Sequence, residues 1–415
     1  MQPSAQGTPS YSKPKEKVRL IHVFTGPTLS PDDPVLSDPR FAPRLPIRHG
    51  DLFDTGIAAA DSVVIIDGVY HHTPAVRHKE IIWALGKGVR VVGAASIGAL
   101  RAAELAPCGM VGVGEIYDAY AAGRIQGDDE VAVGQSADAD MRSVTWPLVN
   151  LRHVLKLAAA AGVITPDASA EVLGELRGVY YPHRSLTAVL VISRRCGAEE
   201  FARWLTARVA EDRHFGDLKR ADALRALKTA LSLAGTPASP PSALVWRTRH
   251  FRAWANMFAV QTVEGVKLAT RHRITYQQLF DPQFKELWWD YLSTAASGAA
   301  GLPRSLACAV IRPETDLTDQ DTVARLLVRE TPADRTAIAR YVARNEETAR
   351  SHQGFFPDAI KNSLARRLLA SLWSTQTDDA LEDESWARGF QGDRDAVDAV
   401  KVFVLGFLHD QEVGR

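Results

Sequence analysis

Three short, unbroken apolar runs open the patterned part of this chain. "RLIHVF" (19–24), "SVVIID" (62–67) and "VRVVGA" (89–94) are rich in β-branched residues, and each is closed by Gly, Pro or Ser. Continuous rather than alternating hydrophobicity is the mark of strands covered on both faces of a parallel sheet. Between the second and third runs, Thr73 as N-cap and Pro74 at the first helical position predict a helix through "AVRHKEIIWAL", which Gly86 and Gly88 can stop. Its apolar stripe reads Ala75, His78, Ile82 and Leu85, which turns His78 inward, toward core or crevice. The three pieces make a strand–helix–strand crossover. A helix in "GALRAAELA" follows, then a short strand and helix in "GMVGVGEIYDAYAAG" (109–123). Residues 18–165 are therefore expected to form an α/β domain with an open, doubly wound, mainly parallel sheet.

Beyond residue 165 the period changes. "EEFARWLTARVAE", "LKRADALRALKTALSLAG" and "AIKNSLARRLLASLW" place apolar residues at helical spacing, so 166–415 is expected to be mostly helical, interrupted near 234–243 by "AGTPASPPSA". Residues 1–17, polar and Pro/Ser-rich, read as a disordered leader without the apolar core of a signal peptide. Seven of the nine tryptophans lie beyond residue 200, which suits packing of the helical half better than a peptide-lining surface.

Composition narrows the function classes. The 49 basic and 49 acidic side chains cancel, so no global field draws the chain to nucleic acid or to an anionic membrane. Cys108, Cys196 and Cys308 stand far apart, which argues against a zinc knuckle, a redox pair or a disulfide framework and fits reduced thiols in a cytoplasmic protein. No run approaches the roughly 20 apolar residues of a membrane-spanning helix. Neither G-x-x-x-x-G-K-[ST] nor G-x-G-x-x-G occurs, so no nucleotide cofactor is expected.

The chemistry-bearing residues gather at three strand ends: "FTGPTLS" (24–30), with Gly26, Pro27 and Thr28; "DGVYHHTP" (67–74); and "AASIGALRAAE" (94–104). Loops at the carboxyl ends of parallel strands share one crevice. Ser96 has the setting of a nucleophile elbow, with small residues at Ala94 and Gly98 and the amide of Ile97 beside it as an oxyanion donor. The same serine would equally serve as a helix N-cap. Asp67 can orient a base or start a turn; His78 can be that base or a core histidine, with His71 and His72 competing from the loop. Arg101 and Glu104, three apart, can pair on the helix surface. In "GDDEVAV" (127–133), Asp128, Asp129 and Glu130 precede a strand-like run, as a charged turn or as a carboxylate site for a metal or a peptide amine; without histidine partners the cluster is weak evidence for a metal.

Taken together, "FTGPTL", "IDGVYHHTPAVRHKEIIWAL", "GAASIGALRAAELAPCGMVGVGEIYDAY", "DDEVAV" and "PLVNLRHVL" resemble the TfuA family over roughly residues 19–165. The resemblance implies an accessory protein for peptide-backbone thioamidation, working with an ATP-dependent YcaO protein on ribosomally made precursor peptides. It implies hydrolysis of a thiocarboxylated ubiquitin-like sulfur carrier, or help to the YcaO protein in engaging its peptide. By position, Asp67, His78, Glu80, Ser96, Arg101, Glu104, Asp129 and Glu130 match family-typical residues. Ser96, His78 and Asp67 are the expected catalytic set. Gly26, Pro27, Thr28, Glu80, Ile97, Gly98, Arg101, Glu104, Asp129 and Glu130 are expected to bind substrate. Two positions depart from the family pattern: Ile97 replaces a methionine after the serine, and Gly134–Gln135 stand where a histidine is common.

Overall fold

Five short strands form one sheet: β1 (Ile21–Phe24), β2 (Phe41–Arg44), β3 (Ser62–Ile65), β4 (Arg90–Ala94) and β5 (Val111–Val113). All neighbours run parallel in the order β2-β1-β3-β4-β5, with Ile21 opposite both Phe41 and Ser62, and Ser62 opposite Arg90. The apolar runs thus became the three central strands. β2 escaped the pattern because "FAPR" is broken by Pro43, a residue tolerated only at a sheet edge, where β2 lies. The computed structural model describes residues 19–69, 74–136, 142–234, 236, 248–296, 301–352 and 354–413. The expected leader, His71, His72, Thr73 and most of 234–243 lie outside the described residues.

Helices follow the strands: α1 (His78–Gly86), α2 (Ile97–Leu105), α3 (Glu115–Ala121), α4 (Leu148–Ala160), α5 (Pro166–Arg177), α6 (Leu186–Arg195), α7 (Glu199–Glu211) and α8 (Leu218–Leu233). Helix α1 starts four residues later than its proline suggested, after Arg77. Its buried stripe is accordingly Glu80, Ile81, Ala84 and Leu85, not the one drawn through His78. The run after Glu130 is not a strand; Asp128–Glu130 is a single 3-10 turn.

The two faces of the sheet take different partners. On one, Val64, Ile66, Val92 and Ala94 pack against Ala223, Ala226, Leu227 and Ala230 of α8. On the other, α2 lies on β4 so closely that a Cβ on Gly98 would stand 1.7 Å from the carbonyl oxygen of Ile65. Helices α4 to α7 build their own core from Leu151, Leu155, Leu176, Val189, Phe201 and Leu205. Sheet and helices α1 to α8 make up one compact unit, residues 1–49 and 58–244.

The second unit comprises residues 245–415 together with 50–57. It contains α9 (Arg249–Phe258), the antiparallel pair β6 (Val260–Val263) and β7 (Val266–Ala269), α10 (Thr270–Phe280), α11 (Phe284–Ala295), α12 (Arg304–Val310), α13 (Gln320–Leu326), α14 (Pro332–Ser351), α15 (Asn362–Trp373), α16 (Asp378–Ala387) and α17 (Asp393–Val413). The α/β region followed by a mostly helical one matches the sequence expectation. Among the described residues no helix is long and apolar enough to cross a membrane.

Candidate functional site at the strand ends

With strand order 2-1-3-4-5, the chain reverses direction across the sheet between β1 and β3, and the loops after those strands flank the place where such folds hold ligands. Asp67, two residues past β3, locks the two loops together. Its buried carboxylate accepts the amides of Gly26 and Thr28 at 3.0 and 2.9 Å and the Thr28 hydroxyl at 2.6 Å. Gly26 and Thr28 therefore spend these donors on Asp67, leaving Pro27 and the outer surface of Thr28 to face a cleft.

Ser96 stands where β4 turns into α2. The turn is sharp enough to force Ala95, a residue with a side chain, to φ 65°. That left-handed value typically costs an L-residue about 1–2 kcal/mol. Ser96 occupies the N-cap position but does not cap: at φ −120° and ψ −127° it lies outside the extended conformation from which an N-cap hydroxyl reaches the first turn. Among the described residues its Oγ has no hydrogen-bond partner, and neither has the amide of Ile97. The adjoining amides are used, Ser96 to Ala94 O at 2.7 Å and Gly98 to Ile66 O at 3.4 Å. Ser96 is nonetheless buried, with 3% of its surface exposed.

The expected relay is not assembled among the described residues. His78, the first residue of α1, has a half-exposed imidazole bonded to Glu104 Oε2 at 2.8 Å. It points away from the core because α1 begins at His78 itself. Glu104 also accepts Arg101 at 2.6 Å, and Arg101 reaches back to the carbonyl of Val76 at 3.3 Å. His78, Arg101 and Glu104 thus clasp the start of α1 to α2, and among the described residues Asp67 has no hydrogen bond to His78 or Ser96.

Two further expected ligand carboxylates are interior fasteners. Glu80 is fully buried, accepts the amide of Arg77 at 3.0 Å and bonds His49 Nδ1. Burial, reinforced by Arg77, holds His49 below its ordinary pKa of 6.5. Glu130 is gripped by Arg152 through two bonds, 2.8 and 3.0 Å, and by Arg177 at 2.9 Å. Burial would raise its pKa, but the two guanidinium groups outweigh burial and hold it below 4.5. Asp129, exposed, accepts Arg184 at 3.2 Å.

Sequence reading missed Lys219 and Asp222. The buried residues of α8 are Lys219, Asp222, Ala223, Ala226, Leu227 and Ala230, a helical stripe with two charges in it. Asp222 accepts the amides of Glu115 and Ile116 at 3.1 and 2.8 Å and so caps α3. Lys219 lies 3.9 Å from Asp67 Oδ1. The signal was present, since a charge on an apolar stripe must find a partner.

Fold and site define a doubly wound α/β protein whose polar groups collect at the switch point and at one strand-to-helix elbow. Residues 67–185 match the model of the TfuA-like protein family, as the motifs led one to expect. No curated protein matches the chain.

Proposed function

We propose that this protein serves peptide-backbone thioamidation, releasing sulfide from a thiocarboxylated ubiquitin-like carrier for a YcaO-type partner that modifies a ribosomally made peptide. The observation that carries the reading is the pairing, on one strained turn, of a hydroxyl, Ser96 Oγ, and an amide, Ile97 N–H, neither of which has a hydrogen-bond partner among the described residues. The hydroxyl attacks the thiocarboxylate carbon, the amide and the start of α2 receive the developing oxyanion, and hydrosulfide leaves as the C–S bond breaks. Water then cleaves the ester. Thiocarboxylate and water thus give carboxylate, hydrosulfide and one proton, with no redox change.

The test is sulfide release from thiocarboxylated carrier. Ser96→Ala is expected to lower the rate at least ~100-fold; an unchanged rate rules out the serine mechanism. His78→Asn is expected to cost less than tenfold, because that imidazole is held by Glu104. A general base contributes about 10²–10⁴-fold, so a larger loss would restore His78 to that role.

The same occupation of His78 and Asp67 by other partners favours a second reading, a scaffold that binds the YcaO protein and its peptide without turnover. It predicts complex formation unaffected by Ser96→Ala and no sulfide from the isolated protein; detectable turnover excludes it.

A further inference from the structure

Beside the switch point, and outside the expected catalytic set, the first unit holds a cleft of about 180 Å³. Thr28, Trp146, Arg213, Phe215, Asp217 and Lys219 line it. Lys219 is the unusual member. Its side chain is only 4% exposed, yet its ammonium has a single hydrogen-bond acceptor at good distance, the carbonyl of Val131 at 2.9 Å. Asp67 Oδ1, at 3.9 Å, is too far for a hydrogen bond. An ammonium carries three donors, so two have no acceptor among the described residues.

The rest of the lining has the same electrostatic sense. Arg213 is exposed, donates through Nε to His214 at 2.9 Å, and has no carboxylate partner among the described residues. The lining's carboxylate, Asp217, is already occupied, accepting the amide of Arg220 at 3.1 Å and Asn150 Nδ2 at 3.0 Å. Two basic side chains with unused donors therefore face one acidic side chain whose Oδ1 already accepts two hydrogen bonds. Trp146 and Phe215 add apolar surface beside them. The volume is below the roughly 300–1,000 Å³ of a site for a drug-sized molecule, which suits a slender chain end.

We propose that this cleft binds the terminal carboxylate of an extended peptide chain, with Lys219 and Arg213 as its basic contacts and Trp146 and Phe215 as apolar walls. That the chain is the sulfur carrier's tail, in the carboxylate form left after sulfide release, rests on the function proposed above; recognition of a chain-terminal anion does not. The family motif has a part in it, since the Arg152 and Arg177 clamp on Glu130 positions the neighbouring Val131 carbonyl that holds Lys219.

The experiment is calorimetric titration of the full chain with a short synthetic peptide ending in Gly-Gly as the free acid, with its C-terminal amide, and with acetate. The acid is expected to bind at least tenfold more tightly than the amide and than acetate. Arg213→Gln and Lys219→Met are each expected to reduce the acid-to-amide ratio to below threefold. Because Lys219 is buried, circular dichroism accompanies that variant, and the exposed Arg213→Gln decides the matter if the methionine variant does not fold. Equal affinity for acid and amide, an unchanged ratio in Arg213→Gln, or acetate binding as tightly as the peptide would each overturn the proposal. Carboxylate preference without sulfide release would remove the hydrolase reading alone; sulfide release without that preference would remove this site alone.

Discussion

Glu130 shows how a residue that looks like a ligand can be a rivet. Its carboxylate is held by Arg152 and Arg177, and the next residue's carbonyl holds Lys219. Glu130→Gln keeps the shape and removes the charge. Breaking a buried ion pair typically costs about 3–5 kcal/mol; because Arg177 is mostly solvated, the low end, about 3 kcal/mol, is expected in urea unfolding. The pH dependence has a definite sign. The folded pKa lies below the ordinary 4.5, so the unfolded chain binds more protons and the charge contributes its full stability above that value. The contribution is lost as pH falls through the folded value. The stabilities of wild type and Glu130→Gln should therefore approach each other as pH falls from 4.5 through the lower folded value, and a gap that stays constant over that fall would contradict the ion-pair account. At this scale the motifs were legible as "DDEVA" and "HKEI", but not their duties, because an acidic side chain in sequence looks the same whether it meets solvent, substrate or arginine.

The elbow between β4 and α2 works as an element, not as a lone serine. Helix and strand approach until Gly98 nearly touches the backbone of Ile65, and a Cβ on Gly93 would stand 2.2 Å from the carbonyl oxygen of Gly98. Gly98→Ala has no flexible side chain to push aside, so the helix itself must move. A loss of about 3 kcal/mol or more is expected, at or beyond the top of the usual overpacking range, together with loss of whatever activity needs the Ser96 turn. A stable, fully active alanine variant would show that the close approach is not required. The small residues flanking Ser96 announced this turn in the sequence. What they did not announce is that the strained residue is Ala95, or that the serine leaves its helix uncapped, since both follow from the packed distance between helix and sheet.

At the scale of the whole chain, the surprise is the route between β2 and β3, where residues 50–57 belong to the second unit. There Phe53, fully buried, meets Trp254 edge-on at 5.8 Å and Phe251 in a tilted pair at 5.8 Å, and Thr55 donates its amide to the carbonyl of Val260. Phe53→Ala is expected to cost about 3–5 kcal/mol, as large-to-small core changes do, and to lower the unfolding midpoint of the helical unit, which holds most of the tryptophans and is followed by tryptophan fluorescence. An unchanged midpoint would show that this stretch adds nothing to that unit. The sequence by itself determined the central strands, the helical half, the Ser96 turn and the family resemblance, because each is written in local periodicity or contiguous motif. Only the tertiary structure decided that Asp67 serves the first loop and lies near Lys219, that His78 serves Glu104, and that an early segment completes a late core. Those choices depend on distances between residues tens to hundreds of positions apart, and no local pattern encodes them.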